Sequence, residues 1–383
     1  MNPQVLLIST ATRWFGTARI PRALARAGFD VSLLTPKGSL AEHSRFIGKI
    51  GYLPDRATAQ EWVHAFAATV KATAPQLVVP CDDMSFQLLQ MLALSPPQNM
   101  RAELRLPLST LIRDSLGDST WYRTSIDKTL LPPAAAALGV RVPSHIVAHD
   151  IGEASAFADH HGYPIVVKRR LGFAGSGVAI CANGGDLIEA FRWLPLPSQL
   201  DLGSDAERQL LVQAHIPGRG MYYQIAAWKG NLLAGMAVDK VLADPEPMGP
   251  ATICRYHRND EVRDFARRLV EGFGITGLLG LELIVHERTR EPYLLEVNRR
   301  VTPGTHRGAS TGLDLCAALH AAMHGKASPS RTDLDVGEED LVVHFPQEWL
   351  RDPSSPHLRT LRVDVPWDEP ELIEAMLKLR NEG

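Results

Sequence analysis

Two apolar runs constrain this chain most: Gly280-Leu-Glu-Leu-Ile-Val285 and Pro292-Tyr-Leu-Leu-Glu-Val-Asn298, separated by the polar stretch His286 to Glu291. Such runs around a polar turn specify a β-hairpin. Side chains alternate faces along a strand, so Glu296 and Asn298 share one face, and Leu295 and Val297 share the other. Centring the turn on Thr289 sets Glu282 opposite Glu296 and predicts a core side of Leu281, Leu283, Leu295 and Val297. Like charges directly opposite one another on a sheet are unfavourable. At ~4–5 Å and an effective dielectric near ~20, their repulsion is about 3–4 kcal/mol, so the pair needs a compensating cation. Two carboxylates and an amide oxygen are hard donors that suit Mg2+, with Mn2+ as an alternative, held against nucleotide phosphates. A competing reading makes both glutamates solvated surface residues paired with Arg299 and Arg300.

Phosphate binding needs cations and exposed backbone N–H groups, and the middle of the chain supplies both. Lys168 closes the apolar run Ile165-Val-Val-Lys168, and a basic residue ending a buried strand calls for an anionic partner. The loop Leu171-Gly172-Phe-Ala-Gly175-Ser176-Gly177 follows, before the strand Val178 to Cys181. Its glycines let several N–H groups converge on phosphate oxygens, with the Ser176 hydroxyl beside them. The loop has no GK[ST], so it reads as a hairpin lid and not as a Walker loop.

The first ~115 residues alternate strands and helices, with Val5 to Ile8, Val31 to Leu34 and Leu77 to Pro80 as parallel-sheet strands. Cys81-Asp82-Asp83 sits at the C-terminal end of the last, the edge where open α/β sheets bind ligands. Asp82 and Asp83 suit either an ammonium group or the cap of the next helix. No GxGxxG follows the first strand, which argues against a dinucleotide fold. A net charge of −3 gives no basic footprint for nucleic acid and no polybasic membrane signal. Four dispersed cysteines without CxxC suit reduced thiols, and a cytoplasmic location is expected.

Five motifs occur in one order: Asp127-Lys128; Pro164 to Lys168 with its glycine loop; Leu211-Val-Gln-Ala-His-Ile-Pro-Gly218; Gly280-Leu-Glu282; and Leu295-Glu-Val-Asn-Arg-Arg300. In that order they resemble the ATP-grasp superfamily, in the branch similar to the carbamoyl-phosphate synthetase large subunit and biotin carboxylase, from about Asp127 to Gly325. The resemblance implies α/β and α+β architecture: a Rossmann-like parallel domain over 1–115, then an ATP-grasp small lobe with a lid over 116–207. A large lobe with the metal site is expected over 208–328, and a C-terminal extension over 329–383. It further implies that Lys128 and Lys168 hold ATP phosphates under the lid formed by Gly172, Gly175, Ser176 and Gly177. Gln213, Ala214 and Ile216 would line the adenine slot, with main-chain hydrogen bonds from Ala214 and Ile216. Glu282, Glu296 and Asn298 would bind magnesium, and Arg300 would act as the catalytic cation facing the reacting phosphate. Two departures stand out. Gly220 occupies the place of a ribose-holding glutamate, and Arg299 the place of a common proline.

The activity this resemblance implies is ATP-dependent joining of a carboxylate, from an amino acid or similar small molecule, to an amine. It proceeds through an acyl phosphate and releases ADP and phosphate. Thr305, Arg307 and Arg255 are candidate substrate contacts. The expected partners are small-molecule carboxylates and amines, with no nucleic acid or membrane, and a homodimer is common among similar proteins. The alternatives are phosphate transfer or bicarbonate activation on the same scaffold, and a nucleotide-binding regulatory module without turnover.

Overall fold

The computed structural model describes every residue except 1, 98–99, 101, 173–176, 195–208, 247–248, 330, 336–338 and 383. The described residues form three sheets. The first holds β1 (Gln4–Ile8), β2 (Asp30–Pro36), β3 (Ile47–Leu53) and β4 (Leu77–Pro80), ordered β3-β2-β1-β4 and parallel throughout. Both faces are covered: Val5, Leu7 and Leu33 point into one core, Leu6, Ile8 and Leu34 into another. The parallel α/β expectation therefore holds. β3 carries no clear apolar run because it is an edge strand with mostly half-exposed side chains.

The second sheet contains β5 (His145–Ala148), β6 (Ile165–Arg169), β7 (Val178–Cys181) and β8 (Leu210–Ala214), ordered β5-β8-β6-β7 and antiparallel. Leu210 to Ala214, read from sequence as the start of the large lobe, lies inside this sheet. It hydrogen-bonds to β5 and β6 on its two sides.

The third sheet comprises β9 (Gly218–Trp228), β10 (Asn231–Ala243), β11 (Ala251–His257), β12 (Gly277–His286), β13 (Pro292–Asn298), β14 (Glu339–His344) and β15 (Arg362–Asp364). Its order is β13-β12-β9-β10-β11-β14-β15, so two strands of the C-terminal extension continue the sheet that bears the carboxylates. The helix Asp260–Gly272 covers one face, burying Val262, Phe265, Ala266, Leu269 and Val270 at the predicted three- and four-residue spacing. Its N-cap is Asn259, whose Oδ1 accepts from the Val262 N–H at 3.0 Å. Asn259→Ala is expected to cost about 1 kcal/mol of stability, read as a lower thermal midpoint at unchanged helix content. The opposite face is the site face, and it meets the C-terminal edge of the parallel sheet. There the Val301 N–H donates to the Pro80 carbonyl at 3.1 Å.

Candidate active site

β12 and β13 pair with Gly280 opposite Asn298, Leu281 opposite Val297 and Glu282 opposite Glu296, as the turn position predicts. Beyond Glu282 the register shifts by one residue, and Leu283 faces Leu294. Leu295 is the extra residue of this bulge. The core side is therefore Leu281, Leu283, Leu294 and Val297, and Leu295 is half-buried outside it. The expectation for Leu295 fails because strict alternation does not survive a bulge. The bulge leaves the carboxylate pair directly opposed.

Four cations surround that pair. Lys128 Nζ lies 3.2 Å from Glu296 Oε1 and donates to the Gly172 carbonyl at 2.7 Å. Lys240 Nζ lies 3.3 Å from Glu282 Oε1. Burial holds Lys168 below the usual lysine range; Glu296 pulls it back up, Lys128 pushes it down and Glu282 raises it. Burial alone would also lower Arg300. The charge and hydrogen bond of Asp83, at 2.9 Å from Arg300 Nε, hold it above its ordinary value, with help from Asp82 and Glu282. The two glutamates are thus partly exposed carboxylates neutralised by lysines from outside their hairpin. The competing pairing with Arg299 and Arg300 is not formed among the described residues. Arg299 donates to the Leu116 carbonyl and to Ser125 Oγ, and Arg300 is held by Asp83.

This donor set fits a divalent cation. Two carboxylates face each other across a strand pair, and the Asn298 amide follows Glu296 by two residues on the outermost strand. No group of three His, Cys, Asp or Glu with metal-holding geometry occurs among the described residues. A set of two carboxylates and an amide leaves coordination positions for water and phosphate oxygens, the arrangement magnesium favours.

The residues expected to line an adenine slot lie on β8 and in the segment between β8 and β9. Gln213 is buried on β8, and its Nε2 has no hydrogen-bond partner among the described residues. The Ala214 N–H donates to the Ser144 carbonyl at 2.9 Å, so a main-chain contact from Ala214 to a ligand falls to its carbonyl. Ile216 is half-buried in the segment leading to β9. Of the lid, Gly172 and Gly177 frame its two ends, with Gly177 at φ +77°, and Gly175 and Ser176 lie outside the described residues.

Residues 127–326, more than half of the chain, match the model of the carbamoyl-phosphate synthase L chain ATP-binding domain. The chain belongs to this family. The matched span is the one over which the ATP-grasp resemblance runs. The carbamoyl phosphate synthase large chain of Archaeoglobus fulgidus is 25% identical over 187 residues, covering 46% of this chain and 16% of that protein. The chain thus corresponds to a minor part of that relative's length. Among solved structures, the biotin carboxylase domain of Hydrogenobacter thermophilus 2-oxoglutarate carboxylase, in complex with MgADP, ADP and bicarbonate, superposes with a TM-score of 0.67. The identity is 16%, covering 89% of this chain and 74% of that one. N5-carboxyaminoimidazole synthetase from Staphylococcus aureus, complexed with ADP, gives a TM-score of 0.63 at 11% identity, covering 88% and 81%. At these identities the likeness is one of fold.

Both departures from the family's motifs have a structural reason. Arg299 is buried where β13 ends, its guanidinium 5.1 Å from the Phe86 ring centroid and 5.9 Å from that of Tyr122. Burial pulls its pKa down to about 10, and it ties the strand end to Leu116, Ser125 and the ring of Phe86. Gly220 stands in β9 opposite Ile284, and its missing side chain leaves room for the Lys240 stem.

The substrate candidates divide. Asp82 caps the helix Asp83–Leu94 and accepts from Ser9 Oγ, the Thr10 N–H and hydroxyl, and the Ala11 N–H, so it organises the loop after β1. Asp83 holds Arg300. Thr305 is buried, and its hydroxyl donates to the Thr302 carbonyl. Arg307 is buried, 2.9 Å from Asp340 and 3.5 Å from Asp364. Arg255 pairs with Asp239 across β10 and β11, on the face opposite Lys240 and Cys254. Thr305 and Arg307 thus shape the loop after the carboxylate strand, and Arg255 lies on the far side of the sheet from Glu282.

Three residues of the site carried no motif: Lys240, Tyr222 and Trp14. Tyr222 lies opposite Glu282 on β9. The Trp14 ring centroid is 5.3 Å from the Arg300 guanidinium. The only signal for Lys240 was a charge late in a long apolar strand, the same signal that marked Lys168.

Proposed function

We propose that this protein is an ATP-dependent ligase that activates a small carboxylate as an acyl phosphate, joins it to an amine, and releases ADP and phosphate. The observation that carries the reading is the opposed pair Glu282 and Glu296, ringed by Lys128, Lys168, Lys240 and Arg300. A carboxylate attacking a γ-phosphate brings two anions together, and fixed cations lower that barrier by positioning and charge stabilisation. Lys128 and Lys168 are assigned to the ATP phosphates, Gly172 to Gly177 to their cover, and Gln213, Ala214 and Ile216 to the base. Glu282, Glu296 and Asn298 are assigned to magnesium, which when bound screens the phosphate charge. Arg300, oriented by Asp83, is assigned to the transferred phosphoryl group. No side-chain nucleophile is needed.

Activation of bicarbonate is the second reading, favoured by the fold neighbour solved with bicarbonate and by the carboxylating name of the other. One experiment separates the two. ADP and phosphate release are measured across a panel of amino acids, other small carboxylates and bicarbonate, each with and without an amine, and products are identified by mass spectrometry. Release that requires an organic carboxylate and an amine is expected. Release with bicarbonate alone as the acyl source would replace the first reading with the second. Nucleotide binding without turnover across the panel would leave a regulatory module.

A further inference from the structure

Lys240 and Gly220 form a unit on the site face, beside Glu282. Asp239 of β10 stands opposite Met221 of β9, and one step on, Lys240 comes beside Gly220. A Cβ on Gly220 would lie 3.2 Å from Lys240 Cδ and 3.6 Å from its Cε, so the glycine is what lets the lysine stem lie across β9. The stem brings Nζ to 3.3 Å from Glu282 Oε1 and 4.5 Å from the Tyr222 ring centroid, with the side chain only 10% exposed. An ammonium has three N–H donors, and the Glu282 hydrogen bond uses one.

Along this level of the face stand Tyr293, Ile284, Gly220, Lys240, Cys254 and Val342, and none of them is a carboxylate. A nucleotide with its base at Gln213 to Ile216 and its terminal phosphates at Lys128 and Lys168 places its ribose and first phosphate over this row. We propose that Lys240, admitted by Gly220, binds the phosphate next to the ribose. The ribose hydroxyls are left without an acidic grip, so the site accepts 2′-deoxynucleotides nearly as well as ribonucleotides. The inference rests on the ATP reading above and names its determinant of nucleotide recognition.

Calorimetric titration of the full chain with ADP and with 2′-deoxy-ADP, in magnesium-free buffer with EDTA, tests this apart from metal binding and turnover. Wild type is expected to bind the two within about threefold, because no charged contact to the ribose hydroxyl distinguishes them. Lys240→Met keeps the stem and removes the charge, and should weaken both ligands about tenfold or more. Gly220→Ala is tolerated by its backbone and crowds the stem, and should weaken both about threefold; it decides the matter if Lys240→Met does not fold. Unchanged ADP affinity in a folded Lys240→Met, or in Gly220→Ala where that variant decides, overturns the proposal. So does a wild-type preference for ADP beyond about tenfold, the size of a lost charge-assisted contact. Absence of ADP binding by wild type would sink the ATP reading itself, a failure distinct from either.

Discussion

Glu296→Gln is expected to reduce ADP release by about a thousandfold, because a carboxylate that helps hold a phosphate-bridging cation contributes several kcal/mol of charge stabilisation. Glutamine has nearly the same shape and keeps an oxygen to accept from Lys128, now 3.2 Å from Glu296 Oε1. Two electrostatic changes oppose each other in the unliganded protein. The repulsion from Glu282 across the strand pair disappears, and so does the attraction that raises Lys168. The fold should therefore survive, and circular dichroism with a thermal midpoint near that of wild type is the control. Activity within about tenfold of wild type in a folded variant would remove Glu296 from the metal set and with it the argument for opposed carboxylates.

The hairpin was legible because its evidence is local. An apolar run, a polar turn and a charge on the wrong face determine register within a few residues, and the pairing of Glu282 with Glu296 follows. The bulge at Leu295 was not legible, since an extra residue leaves the composition of a strand unchanged. The parallel first sheet showed through Val5 to Ile8 and Leu77 to Pro80, which are buried on both faces and so wholly apolar. Lys240 was hidden for the opposite reason. Its meaning lies in Gly220 and Glu282, which meet it only when three strands align. Arg307 illustrates the same limit. Its position after the carboxylate strand suggested a substrate contact, yet its partners Asp340 and Asp364 come from β14 and β15, strands with no clear sequence signature. Asp82 and Asp83 are adjacent and chemically identical, and only the fold sends one to a loop and the other to Arg300.

Asp364→Asn is expected to be the most destabilising single change outside the site, at about 3–5 kcal/mol, the cost of leaving buried cations without their partner. Asp364 Oδ1 lies 3.0 Å from Arg19 of the helix Phe15–Arg26 and 3.5 Å from Arg307, and its Oδ2 is 2.6 Å from His306 Nε2. One carboxylate thus joins the first helix, the loop after the carboxylate strand and the end of β15. Burial works against its charge, but Arg19, His306 and Arg307 hold its pKa well below the usual carboxylate range. A depressed carboxylate stabilises above its unfolded pKa, and that contribution is lost only as pH falls through the lower folded value. The nearby histidines lose stability earlier. Burial lowers His306, and it pushes His344 down to about 3, where its Nε2 meets the Tyr256 hydroxyl at 2.9 Å. Below pH ~6.5 the unfolded chain takes up a proton that folded His344 refuses, costing roughly 1.4 kcal/mol per pH unit, and the lowered His306 adds to the loss in the same direction. Calorimetric midpoints followed from pH 7.5 to 4.5 should therefore fall in wild type from about pH 6.5 downward. His344→Gln should fall less steeply, by one proton's worth of slope, and Asp364→Asn should lie below wild type throughout. By contrast, removing the exposed pair Lys378–Glu374 should leave the midpoint in place. A wild-type midpoint that stays flat across this range, or an Asp364→Asn protein as stable as its parent, would show that the buried cluster does not tie the first helix to the end of β15.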